Sequence, residues 1–407
     1  MIESNDVKGN TIRKKFRIAI VGCSARSTMF LAYFKRNPCD GEIVGLCDII
    51  PERAEILKKC YGVDAEIFSD DREMIKKLRP DAIAVCTADY AHTEPVIHAL
   101  EADTNVFCEK PMAVTLEDCD RMADAAQKTS AIFYLGFNLR HGPVHDTIHH
   151  LITTGHVGRV TTIEANEYYY GGKTYFRRWN RFRKFGGGLW ITKACHDFDL
   201  LNWMAGAKPK TVFAVSSLSH YKPKPQAAKL CRDCPLQFEC PDYYDILTPK
   251  DNPVAEALRQ MRLLNEKKGQ EPADLCLFNA EKDTFDNGIA VVTYENDIRT
   301  TYTVNVLTAR STRQMRVVGT EGMIEADMEN GIVELIERHT NKKYVSDLSE
   351  MMKSGHGGAD DRLIQDFLYS CQTGKAPRSG WREGRLAVEV ALAARESADT
   401  GKAVTLS

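Results

Sequence analysis

Two side chains able to move a proton near neutral pH stand out in the sequence, Lys110 and His196. Lys110 lies in Glu109-Lys110-Pro111, directly after a short apolar run that is typical of a buried strand. Ligands of open α/β sheets bind at the carboxyl ends of the strands. A partly desolvated lysine at that edge could therefore take the proton of a substrate hydroxyl. On its own, the tripeptide also fits a surface turn.

His196 lies in a predicted helix from about Ile191 to Met204, shortly after the triple-glycine turn 186–188. Glycines let the backbone come close to a ligand, and imidazole is the side chain most often used as a general acid or base. A lone helical histidine is more often structural, so the glycine turn carries the functional interpretation. Asp199, one helical turn later, is predicted to bind the substrate or to accept a hydrogen bond from the imidazole.

A second group of residues has the pattern of a dinucleotide site. The first strand runs into Gly22-Cys23-Ser24-Ala25-Arg26-Ser27, where a Gly-x-Gly-x-x-Gly turn would place a pyrophosphate on a helix N-terminus. Only the first glycine is present; Ser24 and Ser27 replace the others and are small enough to keep the turn. Asp48 ends the second strand, where a carboxylate can bind the adenosine ribose hydroxyls, which favours NAD. Arg53, nearby in the sequence, leaves NADP as an alternative cofactor.

In this order along the chain, the motifs resemble the glucose-fructose oxidoreductase / inositol dehydrogenase family, Gfo/Idh/MocA. The resemblance rests on the Gly22 turn, Asp48, the segment 87–92, Glu109-Lys110-Pro111, Asn138-Leu-Arg140, Gly186-Gly-Gly188 and His196-x-x-Asp199, and it extends from Phe16 to Leu406. It implies a Rossmann domain followed by an α/β domain with a large, mostly antiparallel sheet. It also implies hydride exchange between a nicotinamide and a carbinol of a sugar, sugar acid or inositol, often in homodimers or homotetramers packed through that sheet.

The resemblance also assigns roles to individual residues. The cofactor residues that it implies are Gly22, Ser24, Arg26, Ser27, Asp48, Thr87, His92, Glu109, Lys110 and Asn138. Where the family commonly has an aspartate four residues before the histidine, this chain has Thr192, which is expected to bind the substrate. Lys193 follows it, and the resemblance implies that Lys193 is a second cationic donor to the substrate. The alternative for Lys193 is a solvent-facing side chain. Either Lys110 or His196 would take the hydroxyl proton, and the sequence does not decide between them.

An aromatic and basic loop, 175–183, precedes the glycine turn and contains Arg178 and Trp179. Aromatic faces suit the C–H surface of a sugar ring, and guanidinium groups suit carboxylates or phosphates. The loop therefore predicts a substrate-binding segment and favours an acidic or phosphorylated sugar. The alternative is a lid or interface whose arginines pair with acidic residues elsewhere. His356, at the start of a glycine-rich helix entry, is a further candidate for the site.

Cys231-x-x-Cys234-x5-Cys240 lies in a segment, about 221–275, whose composition differs from its surroundings. Thiolates at this spacing can bind one tetrahedral ion, which predicts a structural zinc site. Three ligands are too few for a closed site, and Cys276 or His220 could supply the fourth. The alternative is a cluster of reduced cysteines, as expected for the 13 cysteines of the chain in general.

The elements that must position these residues follow from the hydrophobic pattern. Up to Phe137, continuous apolar strands alternate with amphipathic stretches, which predicts a doubly wound parallel sheet over 15–137. From Asp286, alternating strands joined by Asn-Asp, Thr-Glu-Gly and Glu-Asn-Gly turns predict an antiparallel meander. We therefore expect a NAD(P)-binding domain at 15–137 and a substrate-binding and oligomerisation domain at 138–407, with the insertion at about 221–275.

Bulk properties limit the function. The 407 residues include 43% apolar and 27% charged residues, typical of a globular protein with two domains. The net charge of -2 gives no field that would attract nucleic acid. No apolar run is long enough for a membrane span and the first residues lack a signal-peptide core, which predicts a cytoplasmic protein. The expected partner is a small carbohydrate or cyclitol.

Two other functions remain open at this point. A redox-neutral glycosidase or lyase would oxidise one carbinol transiently, eliminate a neighbouring substituent and restore the cofactor. A non-catalytic, nucleotide-sensing regulator could use the same scaffold. The presence of both Lys110 and His196 argues against the regulator.

Overall fold

The computed structural model describes residues 15–352 and 357–406. Its first part is a parallel six-stranded sheet in the order β3-β2-β1-β4-β5-β6, as a doubly wound dinucleotide-binding sheet requires. The strands are β1 (Phe16–Val21), β2 (Gly41–Cys47), β3 (Glu66–Phe68), β4 (Ala82–Val85), β5 (Asn105–Cys108) and β6 (Phe133–Leu135). The helices that alternate with them are α1 (Thr28–Arg36), α2 (Pro51–Tyr61), α3 (Asp71–Leu78), α4 (Thr93–Glu101) and α5 (Leu116–Ala126).

The central strands are buried on both faces, which is why they form continuous apolar runs. All four residues of β4 are buried, and Phe107 of β5 is 0% exposed. A strand covered by helices on both faces has no polar face to alternate with. The predicted doubly wound sheet is confirmed.

The second part contains a ten-stranded sheet in which only the β7–β10 pair is parallel. Its strands are β7 (Val160–Tyr170), β8 (Pro209–Ser217), β9 (Asn287–Tyr294), β10 (Arg299–Asn305), β11 (Leu307–Thr312), β12 (Gln314–Gly319), β13 (Gly322–Asp327), β14 (Ile332–Glu337), β15 (Lys343–Asp347) and β16 (Val404–Thr405). Its helices are α6 (Pro143–Thr153), α7 (Gly172–Tyr175), α8 (Arg183–Gly186), α9 (Leu189–Thr192), α10 (Cys195–Ala205), α11 (Pro253–Lys267), α12 (Ala359–Thr373) and α13 (Trp381–Thr400). The predicted large, mostly antiparallel sheet is confirmed.

One face of this sheet is covered by α10 and α13, and the other carries apolar side chains that are exposed in the single chain. In β8 and β9 the side chains alternate between the two faces, as the pleat requires. The cross-strand pairs Phe213–Val291 and Val215–Ile289 lie on the outer face and are 36–50% exposed. The dimer or tetramer expected through this sheet stays a prediction.

The predicted helix from Ile191 to Met204 is two helices. α9 ends at Thr192 and α10 begins at Cys195, because the amides of Lys193 and Ala194 both donate to the carbonyl of Leu189. The interruption lies next to the candidate catalytic residues. It fixes the backbone of Lys193 outside both helices.

Part of the insertion packs against the first sheet domain. Helix α11 lies along α2, where Lys268 pairs with Glu52 and Asn265 accepts a hydrogen bond from Arg53. This contact places α11 over the edge of the sheet where β2 ends.

The two C-terminal helices also join the first domain. Ile364 and Phe367 of α12 belong to one apolar cluster of that domain, and Val388 of α13 to another. The ring of Phe367 lies 5.6 Å from that of Phe107 and 5.5 Å from that of Tyr134. No helix within the described ranges is long and apolar enough to cross a membrane.

Candidate active site

A cleft of about 1440 Å³ separates the parallel sheet from the second domain. It exceeds the roughly 300–1,000 Å³ of a pocket for one small ligand. There is room for a dinucleotide together with a substrate. The walls are the loops after β1, β2, β4 and β5 on one side, and α9, α10 and α11 on the other.

Gly22 brings the first loop against the end of β4. Its φ of 90° lies in the left-handed region, and a Cβ at this position would be 2.6 Å from the amide nitrogen of Thr87. Only glycine satisfies both conditions. The close approach leaves the loop backbone open to the cleft at the start of α1, where a helix N-terminus attracts phosphate.

Ser24 and Ser27 brace this turn. The Ser24 hydroxyl donates to the carbonyl of Cys86 at 2.8 Å, and the Ser27 hydroxyl donates to the carbonyl of Ser24 at 2.7 Å. Each hydroxyl proton is therefore directed to a backbone oxygen. The two serines replace the glycines of the motif by holding the loop in place.

Asp48 is buried at the end of β2, with an exposed fraction of 5%. Its carboxylate accepts the amides of Cys23 at 2.8 Å and Ile50 at 2.9 Å, and Arg53 lies 3.3 Å away. A carboxylate has about four acceptor positions, so ribose hydroxyls could still be bound. Arg53 also donates to Asn265 of α11 at 2.7 Å, so the insertion contributes to this corner of the cleft.

Arg26, Glu109 and Asn138 form one network with α12. Arg26 pairs with Glu109 at 2.8 Å and with Asp360 at 3.4 Å, and Asn138 donates to Asp360 at 2.8 Å. Thr87 and His92 lie across the loop after β4. His92 is bonded through Nδ1 to the carbonyl of Pro111 at 2.8 Å, and burial lowers its pKa, which favours the neutral imidazole.

The candidate catalytic residues line the same cleft. Lys110, which precedes a cis peptide bond to Pro111, donates from Nζ to the carbonyl of Thr192 at 2.8 Å. His196 lines the same cleft from α10, with its ring 5.9 Å from that of Phe137. An amine and an imidazole from different domains therefore face one space, as proton transfer to a bound ligand requires.

Asp89, beside Lys110, was not among the residues predicted from the sequence. It is 8% exposed, and its Oδ2 has no hydrogen-bond partner among the described residues. Burial raises the pKa of Asp89 to about 7, against the opposing effects of the Lys110 charge and a hydrogen bond with Thr192. A carboxyl group near its midpoint at neutral pH thus lies next to the candidate base.

We expect Asp89→Asn to change the pH dependence of stability. An exposed aspartate has a pKa of about 3.9, so the folded protein holds this proton more tightly than the unfolded chain. That stabilisation is full below about pH 4 and is lost by about pH 7. The melting temperature of Asp89→Asn relative to wild type should therefore rise between pH 4 and pH 7 and then level off. The exposed Asp124→Asn serves as control; a difference independent of pH would contradict the assignment.

Lys193 points into the site and not to bulk solvent. It pairs with Glu167 at 2.6 Å and lies 4.0 Å from the centre of the Tyr169 ring, and burial lowers its pKa. Glu167 also pairs with Arg313 at 2.5 Å, which in turn donates to Asp197 at 2.9 Å. Lys193 is thus one end of a buried charge network, and the network fixes its position.

Arg178 and Trp179 line the cleft next to Tyr90, whose ring is 5.8 Å from that of Trp179. Asp199 does not line it. It is 1% exposed and accepts two hydrogen bonds from Arg140, at 2.7 and 2.8 Å. Because this paired carboxylate faces the core below α10, the structure does not bring it to a substrate or to the imidazole.

The predicted zinc site is not supported. Cys231, Cys234, Cys240 and Cys276 line one small cavity, but across the part of the chain that the structure describes, no three His, Cys, Asp or Glu residues are grouped to hold a metal ion. All 13 cysteines are free thiols, and burial raises the pKa of Cys231. The cavity is consistent with the alternative of a cluster of reduced cysteines, and no step below uses a metal. His356 lies outside the described residues.

The cleft residues that escaped the sequence analysis include Asp89, Glu167, Arg262 and Arg313. Asp89 lies between Thr87 and His92, so its place in that loop was a usable signal. The other three belong to β7, α11 and the β11–β12 turn. Only the pairing of distant segments brings them together.

Residues 16–137 match the family model described as "Oxidoreductase family, NAD-binding Rossmann fold", and residues 149–406 match the one described as "Oxidoreductase family, C-terminal alpha/beta domain". The chain belongs to the Gfo/Idh/MocA oxidoreductase family. The predicted family resemblance is therefore confirmed. As a member, the protein combines an NAD-binding Rossmann domain with the α/β domain that carries His196.

Individual relatives agree with the family. The putative oxidoreductase YteT of Bacillus subtilis is 30% identical over 383 residues, covering 86% of this chain and 88% of YteT. The myo-inositol 2-dehydrogenase of Thermotoga maritima is 28% identical, but over only 50% of this chain and 58% of its own. A levoglucosan dehydrogenase solved with NADH and levoglucosan has the same fold, with a TM-score of 0.76 at 16% identity over 96% of this chain and 99% of that one.

Proposed function

We propose that this Gfo/Idh/MocA protein is an NAD-dependent dehydrogenase that oxidises a CH–OH group of a carbohydrate or cyclitol to the ketone, or runs the reverse reduction. The observation that carries the proposal is that Lys110 and His196, from the two domains, line one cleft. The names of the inositol and levoglucosan dehydrogenases support this substrate class.

The residues of the cleft fit the dinucleotide. The loop at Gly22 would hold its pyrophosphate, Asp48 its adenosine ribose, and the loops after β4 and β5 the rest of the molecule. When bound, the nicotinamide supplies a hydride acceptor. The ring would accept the hydride of the substrate C–H bond, and Lys110 or His196 would take the proton of the O–H bond as the C=O bond forms.

The chain's own groups would prepare this step. The carbonyl of Thr192 holds the Lys110 ammonium in place at 2.8 Å. Asp89, whose pKa is raised to about 7 by burial, lies close enough to Lys110 for their charges to interact. Lys193, held by Glu167, offers a cation to a second substrate hydroxyl.

We propose NAD as the preferred cofactor, because the Asp48 carboxylate would repel a 2′-phosphate. Asp48→Ser should lower the ratio of kcat/KM for NAD to that for NADP about tenfold or more, a change of about 1.4 kcal/mol. Serine keeps one acceptor for the loop amides, and Arg53 becomes available to a phosphate. Adding Arg53→Gln should cancel the gain with NADP. An unchanged ratio in Asp48→Ser would show that this residue does not select the cofactor.

The function is tested by incubating the protein with NAD and then NADP against sugars, sugar acids and inositols. Absorbance of the reduced nicotinamide and release of products are followed together. Formation of the reduced cofactor in equal amount to a ketone supports the dehydrogenase. Bond cleavage without net reduction would replace it with the redox-neutral lyase. Cofactor binding with no turnover of any compound would favour the nucleotide-sensing regulator.

A further inference from the structure

Three arginines gather around Tyr244 in the wall of the cleft that belongs to the second domain and its insertion. The guanidinium carbons of Arg177 and Arg262 lie 5.4 and 5.6 Å from the centre of the Tyr244 ring. Arg178 follows Arg177 in the chain and is close enough to Arg262 for their charges to interact. All three arginines line the cleft. We call them the arginine cluster.

Other arginines of the same segments have acidic partners. Arg181 pairs with Glu271 at 2.5 Å, Arg183 with Asp399 at 2.6 Å, and Arg259 of α11 with Glu256 at 2.7 Å. The arginine cluster differs, since no ion pair joins any of its members to an acidic residue within 15–352 or 357–406. The alternative prediction was that the arginines of the loop 175–183 pair with acidic residues elsewhere. Within this loop it holds for Arg181 and Arg183 only.

Arg177 is a buried member of the cluster whose hydrogen-bond donors are only partly satisfied. It is 3% exposed, and its Nε and Nη1 have no hydrogen-bond partner in the described part of the chain. Its Nη2 donates to the carbonyl of Asp242 and lies 3.5 Å from Sγ of Cys231. A buried, unpaired guanidinium is strongly unfavourable unless an anion compensates it. Arg178 is exposed to the cleft, and the like charge of Arg262 nearby opposes its own, so the charges of the cluster repel one another.

We infer that the arginine cluster is an anion subsite of the substrate pocket, and that the substrate is an acidic saccharide whose carboxylate or phosphate binds there. Guanidinium groups bind both anions through paired hydrogen bonds. The inference rests on the proposed function, because it makes the same cleft specific for charged sugars. The subsite would hold the anionic end while Lys110 and His196 act on a carbinol.

The location favours the substrate over the cofactor as the source of the anion. The cofactor's phosphates are expected at the Gly22 loop and the start of α1. Arg178 instead neighbours Tyr175 and Tyr169, and Tyr169 packs on Lys193. Two of the three arginines therefore belong to the wall that carries the catalytic residues of the second domain.

The test measures binding to the full-length protein saturated with NADH. Calorimetric titrations compare D-galacturonate and D-galactose 6-phosphate with neutral D-galactose, and D-glucuronate with D-glucose. Wild type should bind at least one charged sugar about tenfold or more tightly than its neutral partner. Arg178→Gln and Arg262→Gln should each remove most of that preference, since a hydrogen bond to a charged group corresponds to roughly 10- to 100-fold.

Arg259→Gln is the matched control, because this arginine lies on the same helix as Arg262 but pairs with Glu256. It should keep the preference for the charged sugar. Equal binding of charged and neutral sugars by wild type would overturn the inference. So would a loss of NADH affinity in Arg178→Gln and Arg262→Gln with unchanged sugar binding, since the anion would then be the cofactor's. Tight binding of a charged sugar that yields no reduced cofactor when NAD replaces NADH would leave the subsite standing and reject the dehydrogenase.

Discussion

Lys110→Met should lower kcat by about 10³-fold while the affinity for NADH stays within about twofold. The variant removes the amine that lies opposite His196 and keeps the length of the side chain. Positioned proton transfer typically contributes 10²- to 10⁴-fold, and a loss confined to the transition state lowers kcat without raising Kd for the cofactor. Stopped-flow reduction of NAD and fluorescence titration with NADH give the two quantities.

The control is Lys402→Met, which removes an exposed lysine that does not line the cleft. It should behave as wild type in both measurements. His196→Asn is measured in parallel with Lys110→Met over pH 5–10 to identify the base. The base must lose its proton before it can act, so kcat/KM of the wild type should rise with pH. The variant in which this rise disappears lacks the base. A Lys110→Met enzyme within threefold of wild type would remove the lysine from the mechanism.

Gly22→Val should raise the Kd for NADH more than 100-fold and lower the melting temperature. Its Cβ would lie 2.6 Å from the Thr87 nitrogen and 2.7 Å from the Cys86 carbonyl carbon, both backbone atoms that cannot rotate away. The loop must move, and with it the start of α1 that would face the pyrophosphate. The left-handed conformation adds about 1–2 kcal/mol for any residue other than glycine.

Gly62→Val separates these two effects. Gly62 has a φ of 68°, but a Cβ there would meet nothing within 4 Å. This variant should therefore lose only the conformational free energy, with NADH affinity unchanged. If Gly22→Val binds NADH as tightly as Gly62→Val does, the loop at residue 22 does not hold the cofactor. Differential scanning calorimetry and NADH fluorescence report both properties.

The sequence was most informative where a residue's environment depends on its neighbours along the chain. The strands of the first sheet, such as β1 and β4, are buried on both sides, and their uninterrupted apolar runs predicted this. Alternation in β9 and β10 predicted the antiparallel part. The break between α9 and α10 could not be predicted, because 189–205 contains no proline or glycine and the interruption depends on packing around Lys193.

The site shows the same limit. Lys110 and His196 were found because each follows a recognisable local pattern. The Lys193–Glu167–Arg313 network links the α9–α10 junction, β7 and the β11–β12 turn, which only the folded chain brings together. Asp199 looked available because its partner, Arg140, lies 59 positions away in sequence. Local spacing reveals which residues share a helix face, but not which of them already has a buried partner.

Because Phe367 packs on Phe107 and Tyr134, and Val388 lies in another cluster of the same domain, the dinucleotide-binding half is assembled from segments far apart in the chain. During synthesis its six strands leave the ribosome long before α12 and α13 do. The nascent domain would expose an apolar groove until these two helices have been made. A truncated chain that stops near residue 137 would expose the same apolar groove. The first domain therefore needs α12 and α13 to complete its core.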